Sequence, residues 1–354
     1  MKKHWFISLL TILLCTALLV CSLSACGDDK YSMKESTKEE KATILTVGGH
    51  EVPYELFRAF FLTRASTLSD SLTWEEKWEN LMPEVLADVS RVYAVFSLCE
   101  KYGIDPYGND VDKILQKRIK ISIEGGQLNG IYISGYGKYS AYLDALSENY
   151  LTDRASRLLL RYQIAEEQLL AKLIVPYKSS YQYTEQDLKA FYESDSCRLI
   201  EMVYHNLANL PGEEGKSLVD KALGHLQTAE SDEERTNICM QYFHIKPSKT
   251  LVSLYAFPAE NGREMLDEAF SLQIGEYSQP LTVRTGTGDY IYLLRHIEKA
   301  TGDFKNYAED VEDLYLRDCF YRELAEKEAE LQKKVTYTDL YREKENKPIL
   351  FEEN

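Results

Sequence analysis

Pro176-Tyr177-Lys178-Ser179-Ser180-Tyr181-Gln182-Tyr183-Thr184-Glu185-Gln186-Asp187-Leu188 is the stretch at which this 354-residue chain changes character. Proline closes the pattern before it, because it cannot continue a helical hydrogen-bond ladder and biases its predecessor away from helix. The polar run 177–183 reads as a boundary. Thr184, with Asp187 at the third position of the next turn, then caps a short helix over 185–192.

Upstream of that boundary the apolar residues recur with helical spacing. Helices are predicted over 74–101 and 111–121, with a stop at Tyr102-Gly103-Ile104-Asp105-Pro106 between them. Leu81, Val85, Val89, Val92 and Phe96 make one buried stripe. A long helical region over 139–173 carries Ala155, Leu158, Tyr162, Ala165, Leu169 and Leu173 on one face. Order begins in a β-prone run, 42–47. Gly48-Gly49-His50-Glu51 reads as a turn, and Pro53 opens a helix, where a missing first-turn N–H costs nothing. Gly125, Gly126, Gly130, Gly135 and Gly137 crowd one connection. They fail as a phosphate loop, since Tyr136 follows where Lys and Ser/Thr are required, and an irregular link is expected.

Downstream the elements shorten and mix: a strand over 198–204, helices over 215–227 and 232–242, a strand over 250–257, a helix over 264–272, a turn at Gly275 and a strand over 290–296. That is a small α+β domain, 184–300, of a size one core supports. After Gly302 a helix is predicted over 304–333. Phe304, Tyr307, Val311, Leu314, Tyr321 and Ala325 follow a heptad-like spacing broken at Asp318, and the helix is expected to pack back on the N-terminal ones. Val335-Thr336-Tyr337 reads as a strand able to pair with 44–47. The charged end, 341–354, reads as frayed. The predicted class is therefore α+β: a mainly helical lobe from 43–176 and 303–340, interrupted by a small α+β insert.

Ahead of the lobe stand Lys2 and Lys3, an apolar run from Trp5 to Val20, and Leu23-Ser24-Ala25-Cys26. These are the parts of a secretory signal over 1–25, too short and interrupted for a comfortable span. The last four residues resemble a bacterial lipobox, which implies that Cys26 is acylated and becomes the mature N-terminus. Anchoring by more than one acyl chain is stable. The predicted location is the extracytoplasmic face of the bacterial cell membrane. Residues 26–42, polar and charge-mixed, read as a flexible tether of about 20 Å.

Apolar content of 44% and aromatic content of 12% argue for packed cores. Tyrosine is abundant, 26 against 12 Phe and 3 Trp. Its apolar body and polar tip suit half-exposed grooves, although a bias within an ordinary core fits equally. Net charge is −16, and −18 once Lys2 and Lys3 leave, with no basic cluster, so nucleic acid is not an expected partner. Cys99, Cys197, Cys239 and Cys319 remain after the signal is cut, and sequence alone cannot choose among their three pairings. No His-Glu-xx-His, no Gly-x-Ser-x-Gly and no metal spacing occurs, so neither metal nor cofactor is expected.

Several segments resemble the extracytoplasmic parvulin-type foldases, the PrsA and SurA chaperones. Leu45-Thr46-Val47-Gly48-Gly49-His50-Glu51-Val52-Pro53-Tyr54-Glu55-Leu56-Phe57 looks like the start of their chaperone lobe. Residues 183–192 look like the helix leading into their parvulin domain. Most specific is Ala269-Phe270-Ser271-Leu272-Gln273-Ile274-Gly275-Glu276-Tyr277-Ser278-Gln279-Pro280, which matches the parvulin helix–turn–strand segment. The resemblance covers about 44–340. It implies a chaperone or foldase whose partners are unfolded or partly folded exported polypeptides, with X-Pro isomerisation as the activity of the catalytic members. No covalent intermediate is implied.

The catalytic pattern departs from the family's. The first-strand histidine falls at Glu201, or at His205 in a shifted register, both on one strand face by the period of two. The last-strand histidine corresponds to Tyr290. The Gly-Gly-Asp-Leu-Gly segment is replaced by 249–257. Met265 stands where a proline-gripping Phe is usual, and the Met partner falls near Asn261. The implied catalytic set, if active, is Glu201, His205 and Tyr290, and the implied peptide-binding set is Phe257, Met265 and Phe270. Plain core packing is the alternative for Met265 and Phe270. Twisting an amide needs a preorganised electrostatic environment, and this lining supplies a poorer one. Three readings follow: a degenerate parvulin domain used for binding, an isomerase with an altered site, and an envelope-assembly lipoprotein with a dedicated partner. A long helix and a tyrosine-rich surface permit a homodimer without requiring one.

Overall fold

The β-prone run after residue 42 forms strand β1 (Thr43–Val47), which Gly48-Gly49 turn back into β2 (His50–Pro53). The computed structural model describes residues 31–349 apart from 67, 70, 129, 176–178, 210–211, 257–261, 286–287 and 301. The signal segment, Cys26 and Phe257 therefore lie outside the described residues, as does the start of the 177–183 boundary. The described chain is α+β, as its patterns predict, and it divides into two compact units, 31–171 with 323–349, and 172–322.

In the first unit β2 leads into α1 (Tyr54–Ala65), followed by α2 (Trp74–Lys101) and α3 (Asn109–Glu124). Thr73 caps α2 in a capping box with Glu76. The stripe Leu81, Val85, Val89, Val92 and Phe96 is buried throughout. The glycine-rich stretch is a hairpin, not an irregular link: β3 (Gly126–Leu128) pairs antiparallel with β4 (Ile131–Ile133). The helical region after it breaks into α4 (Tyr139–Ser147) and α5 (Asp153–Leu173). Tyr150, at φ 57°, ends the first, and the Thr152 hydroxyl accepts from the Ala155 N–H at 3.0 Å to start the second.

Residues 31–42 differ from the flexible tether expected of them. The Lys34 N–H donates to Asp153 at 2.9 Å and the Ser36 hydroxyl to Glu55 at 2.6 Å. Glu40 pairs with Arg58 at 2.8 Å, both side chains about nine-tenths buried. The polar composition that suggested a solvated tether instead supplies partners for polar groups on α1 and α5.

The second unit opens with α6 (Glu185–Glu193), capped by Thr184 and Asp187 as their spacing predicts. Then come β5 (Cys197–Asn206), α7 (Gly212–Thr228), α8 (Asp232–Phe243), β6 (Ser248–Ser253), α9 (Gly262–Ser271), β7 (Leu281–Thr285) and β8 (Gly288–Ile297). The four strands make an antiparallel sheet in the order β6-β5-β8-β7. The strand β7, absent from the sequence reading, is short and carries only two apolar residues on its inner face. A 3-10 turn (Asp303–Asn306) precedes α10 (Ala308–Gln332). Phe304, Val311 and Leu314 pack with Leu188, Phe191 and Tyr192 of α6 and with Leu199 of β5. The first turns of α10 therefore belong to the second unit, where packing on the N-terminal helices was expected.

The chain returns to the first unit at Glu323. β9 (Val335–Tyr337) pairs antiparallel with β1, Leu45 opposite Tyr337 and Val47 opposite Val335, as the sequence suggested. The end is not frayed up to 349. It forms α11 (Asp339–Glu345), whose Tyr341 ring sits 5.2 Å from Trp78 and 6.3 Å from Phe57, and Ile349 is buried. Burying an aromatic of this size supplies the stabilisation that a charged tail lacks.

Cys99, Cys197, Cys239 and Cys319 are all free and buried. No described helix is long and apolar enough to cross a membrane.

Candidate functional site

The pairing register of the second unit decides which residues share a face. β5 and β8 pair so that Glu201 lies opposite Arg295, Val203 opposite Leu293 and His205 opposite Ile291, while Met202 lies opposite Leu294 and Tyr204 opposite Tyr292. Paired residues point to the same side of a sheet and successive residues to opposite sides. Odd-numbered positions of β5 and β8 thus face one layer and even-numbered positions the other. Glu201 and His205 fall on the odd side. Tyr290 falls on the even side, with Met265 and Phe270 of α9. The sequence-predicted site is divided across the sheet.

On the odd side Val203, Ile291 and Leu293 pack on Val219, Leu223, Leu226 and Phe243 of α7 and α8. His205 is buried there, and its Nε2 finds no hydrogen-bond partner. Glu201 is also buried and forms an ion pair with Arg295 at 3.5 Å, with Lys249 opposite it on its other flank. The Arg295 guanidinium lies 5.6 Å over the Tyr277 ring. Burial pushes the Tyr277 hydroxyl well above its ordinary range, and the Glu201 carboxylate adds to the shift. Burial likewise pushes the Cys239 thiol up to about 11, again with Glu201 contributing. This is a part-buried ion pair with Lys249 at its exposed edge. Its carboxylate already holds a cation, and removing one partner of such a pair costs about 3–5 kcal/mol.

The even side is different. Ile200, Val252, Met265, Ala269, Leu272, Val283 and Leu294 form its floor, with Met202, Leu266, Phe270, Leu281 and Tyr292 half-buried against it. Met265 is fully within this floor. Phe270 is covered by the Arg198 guanidinium, 4.8 Å from its ring, which also donates to the Ala269 and Leu272 carbonyls at 3.0 and 2.8 Å and so caps the end of α9. Beyond the helix three tyrosines gather. The Tyr204 ring lies 5.6 Å from Tyr290 and 5.5 Å from Tyr292, and the last two are 6.2 Å apart. Tyr204 is 38% exposed, and Tyr290 and Tyr292 are half-buried. An aromatic cluster of this kind offers π faces and apolar edges to a proline ring or another apolar side chain. It can bind and orient an apolar segment.

The residues that carry the family resemblance here have structural work. Gly275, at φ 87°, turns the chain out of α9, and its N–H donates to the His296 carbonyl at 2.7 Å. The Glu276 carboxylate accepts from the Gln273 N–H at 2.8 Å. The Ser278 hydroxyl accepts from the Leu294 N–H at 2.9 Å, while the Ser278 N–H donates to the Leu294 carbonyl. These contacts seat the turn on β8. They preserve the shape of the unit and take no part in chemistry.

Tyr204 and Tyr292 were missed as site residues by reading the sequence. Their signal is the alternation Met202-Val203-Tyr204 and Tyr290-Ile291-Tyr292, which marks one face of each strand. What the alternation lacks is the register that brings the two strands' tyrosines together.

No protein-family model and no curated protein matches the chain. Among solved structures it is similar to the foldase protein PrsA from Streptococcus pneumoniae, at 13% identity and a TM-score of 0.32, covering 76% of this chain and 92% of that one. It is likewise similar to the foldase protein PrsA from Lactococcus lactis, at 17% identity and a TM-score of 0.25, covering 85% and 98%. The peptidylprolyl isomerase PrsA from Bacillus anthracis aligns at 15% identity and a TM-score of 0.27, covering 71% and 99%. At TM-scores this low, none of these likenesses bears on the site, whose chemistry follows from its own residues.

Proposed function

We propose that this protein is a membrane-anchored extracytoplasmic chaperone that binds unfolded or partly folded exported polypeptides. Its 172–322 unit keeps a parvulin-like shape for binding and has weak or no isomerase activity. The observation that carries the reading is the division of the site. Glu201 is bound to Arg295 and His205 is buried on the same face of the sheet, the face whose Val203, Ile291 and Leu293 pack on α7 and α8, so neither is read as presented to a substrate. The opposite face presents Tyr204, Tyr290 and Tyr292 over an apolar floor. Anchoring through acyl chains on Cys26 follows from the lipobox-like segment, and a tethered binder of exported chains needs no cofactor.

The test is an aggregation assay with the mature chain and a chemically unfolded client that contains proline. The intact chain is expected to delay light scattering at near-stoichiometric ratio. Joint substitution of Tyr204, Tyr290 and Tyr292 by Ala is expected to cut the delay severalfold, while Glu201→Gln leaves it in place at a temperature where circular dichroism shows that variant folded. A chain that never delays aggregation of any client contradicts the proposal.

A further inference from the structure

The β3–β4 hairpin of the first unit has the composition of a membrane-contacting element and stands beside Tyr31, where the described chain begins. Residues 125–137 contain no charged side chain, in a protein of net charge −16. Ile131 is 57% exposed and Tyr132 72% exposed, and Tyr136 is also open to solvent. Exposed apolar and aromatic side chains on one projection mark an interaction site. Tyrosine next to an aliphatic residue, with small uncharged neighbours, suits the boundary between headgroups and acyl chains.

The hairpin is a built feature. Gly125 and Gly135 meet so closely at its base that a Cβ on Gly135 would lie 2.2 Å from the Gly125 nitrogen. The Tyr136 and Gly137 N–H groups donate back to the Ser122 and Ile123 carbonyls of α3 at 3.0 and 2.6 Å. Charged residues bracket the uncharged stretch, Glu124 before it and Lys138 after it.

Where the chain enters the described structure identifies the occupant. The Tyr31 hydroxyl donates to Glu124 at 2.7 Å, and its ring lies 5.6 Å from Tyr139. Arg157 donates to the Tyr31 carbonyl at 2.8 Å, and the Tyr139 hydroxyl to the Ser32 carbonyl at 3.0 Å. The N-terminal segment is thus fastened to the two residues that flank the hairpin. Cys26 stands five residues before Tyr31, a span of at most ~18 Å. From Glu124 to the hairpin tip is about five residues of extended chain, or ~16 Å. The two reaches match, so the tip can meet the surface in which an acylated Cys26 is embedded.

The geometry points to the hairpin as a second membrane contact: Ile131 and Tyr132, near its tip, enter the lipid interface and fix the orientation of the first unit on the bilayer. This rests on the reading that Cys26 is acylated, and the test separates the two.

Tyr132→Trp is placed in the lipidated chain on phosphatidylcholine vesicles carrying acyl-chain bromines. It is also placed in the chain from residue 27, held by an N-terminal hexahistidine on the same vesicles with a nickel-chelating lipid. Tryptophan quenching is compared with the unsubstituted chain, whose Trp74 and Trp78 sit in the aromatic cluster around Phe61. At least twofold stronger quenching of Tyr132→Trp is expected on both vesicle types. Quenching on the chelating vesicles alone, with the other sample failing to bind, leaves the hairpin contact standing and refutes acyl anchoring. Vesicle binding without added quenching overturns the hairpin contact and leaves the anchor. A tryptophan that responds only to added unfolded client also overturns it, and marks the hairpin as a polypeptide site.

Discussion

Glu201 shows how a buried carboxylate is held by its cross-strand partners. On the odd side of the sheet its carboxylate sits between Arg295 and Lys249 in register, a cross-strand arrangement that opposite charges favour. Asp318 is a second buried carboxylate whose role is structural. It interrupts the heptad-like spacing of α10, and burial raises its pKa despite hydrogen bonds from the Ser253 hydroxyl and the Tyr255 backbone. A raised carboxyl pKa means the folded state favours the protonated form, so stability from this group is full below the unfolded value near ~3.9 and is lost as pH rises through the folded pKa. Asp318→Asn is therefore expected to raise the denaturation midpoint at neutral pH, with the gain vanishing by about pH 3. A lowered midpoint at neutral pH would show that the carboxylate stabilises the fold. The cysteines follow the same physics. Burial pushes Cys99 up to about 12 and Cys197 and Cys239 up to about 11, and also raises Cys319. Because the thiolate is the reactive form, native protein is expected to react with a thiol reagent at least a hundredfold more slowly than unfolded protein, which should then yield four thiols per chain. Fewer than four on unfolding would reveal disulfides. From residues alone Glu201 and His205 could be placed on one face of a strand, because a period of two suffices. The separation of Glu201 from Tyr290 was not legible, because it depends on which residues two distant strands place opposite each other.

At the scale of elements, caps and stripes read directly from the sequence because they depend on local spacing. Thr184 with Asp187, and the α2 stripe from Leu81 to Phe96, are cases in point. The β3–β4 hairpin escaped notice, since its strands are three residues long and its glycines suggested an irregular connection. Its structural requirement is the close approach at the base. Gly135 has φ 66° and backbone atoms within 2.2 Å of an added Cβ, whereas Gly130, at φ 81°, meets nothing within 4 Å. Gly130→Ala is expected to cost about 1 kcal/mol, the left-handed penalty alone. Gly135→Ala adds a steric clash with backbone and is expected to cost at least about 2 kcal/mol. Equal destabilisation of the two variants in chemical denaturation would contradict this account of the hairpin. The break at Tyr150 was hidden for another reason: the apolar pattern resumes in phase closely enough that 139–173 looks continuous.

At the scale of the molecule, two compact units are threaded so that the first is completed by the chain's return at Glu323. The pairing of β9 with β1 was legible because both runs are β-prone and close the two ends of one lobe. How far α10 belongs to the second unit was not, because its apolar face serves whichever neighbours the insert supplies. The second unit, on the function proposed above, holds chain segments and does not turn their proline bonds. An uncatalysed X-Pro bond isomerises in tens of seconds, so any real catalysis is easily seen. The most direct measurement is exchange NMR on short Ala-Pro and Phe-Pro peptides with the mature chain. The account predicts peptide shifts that saturate on titration and weaken at least tenfold when Tyr204, Tyr290 and Tyr292 are replaced by Ala, with the exchange rate unchanged. Clear acceleration of exchange that disappears in Glu201→Gln with His205→Asn would contradict it, and would place working chemistry on the face of the sheet that carries Glu201 and His205.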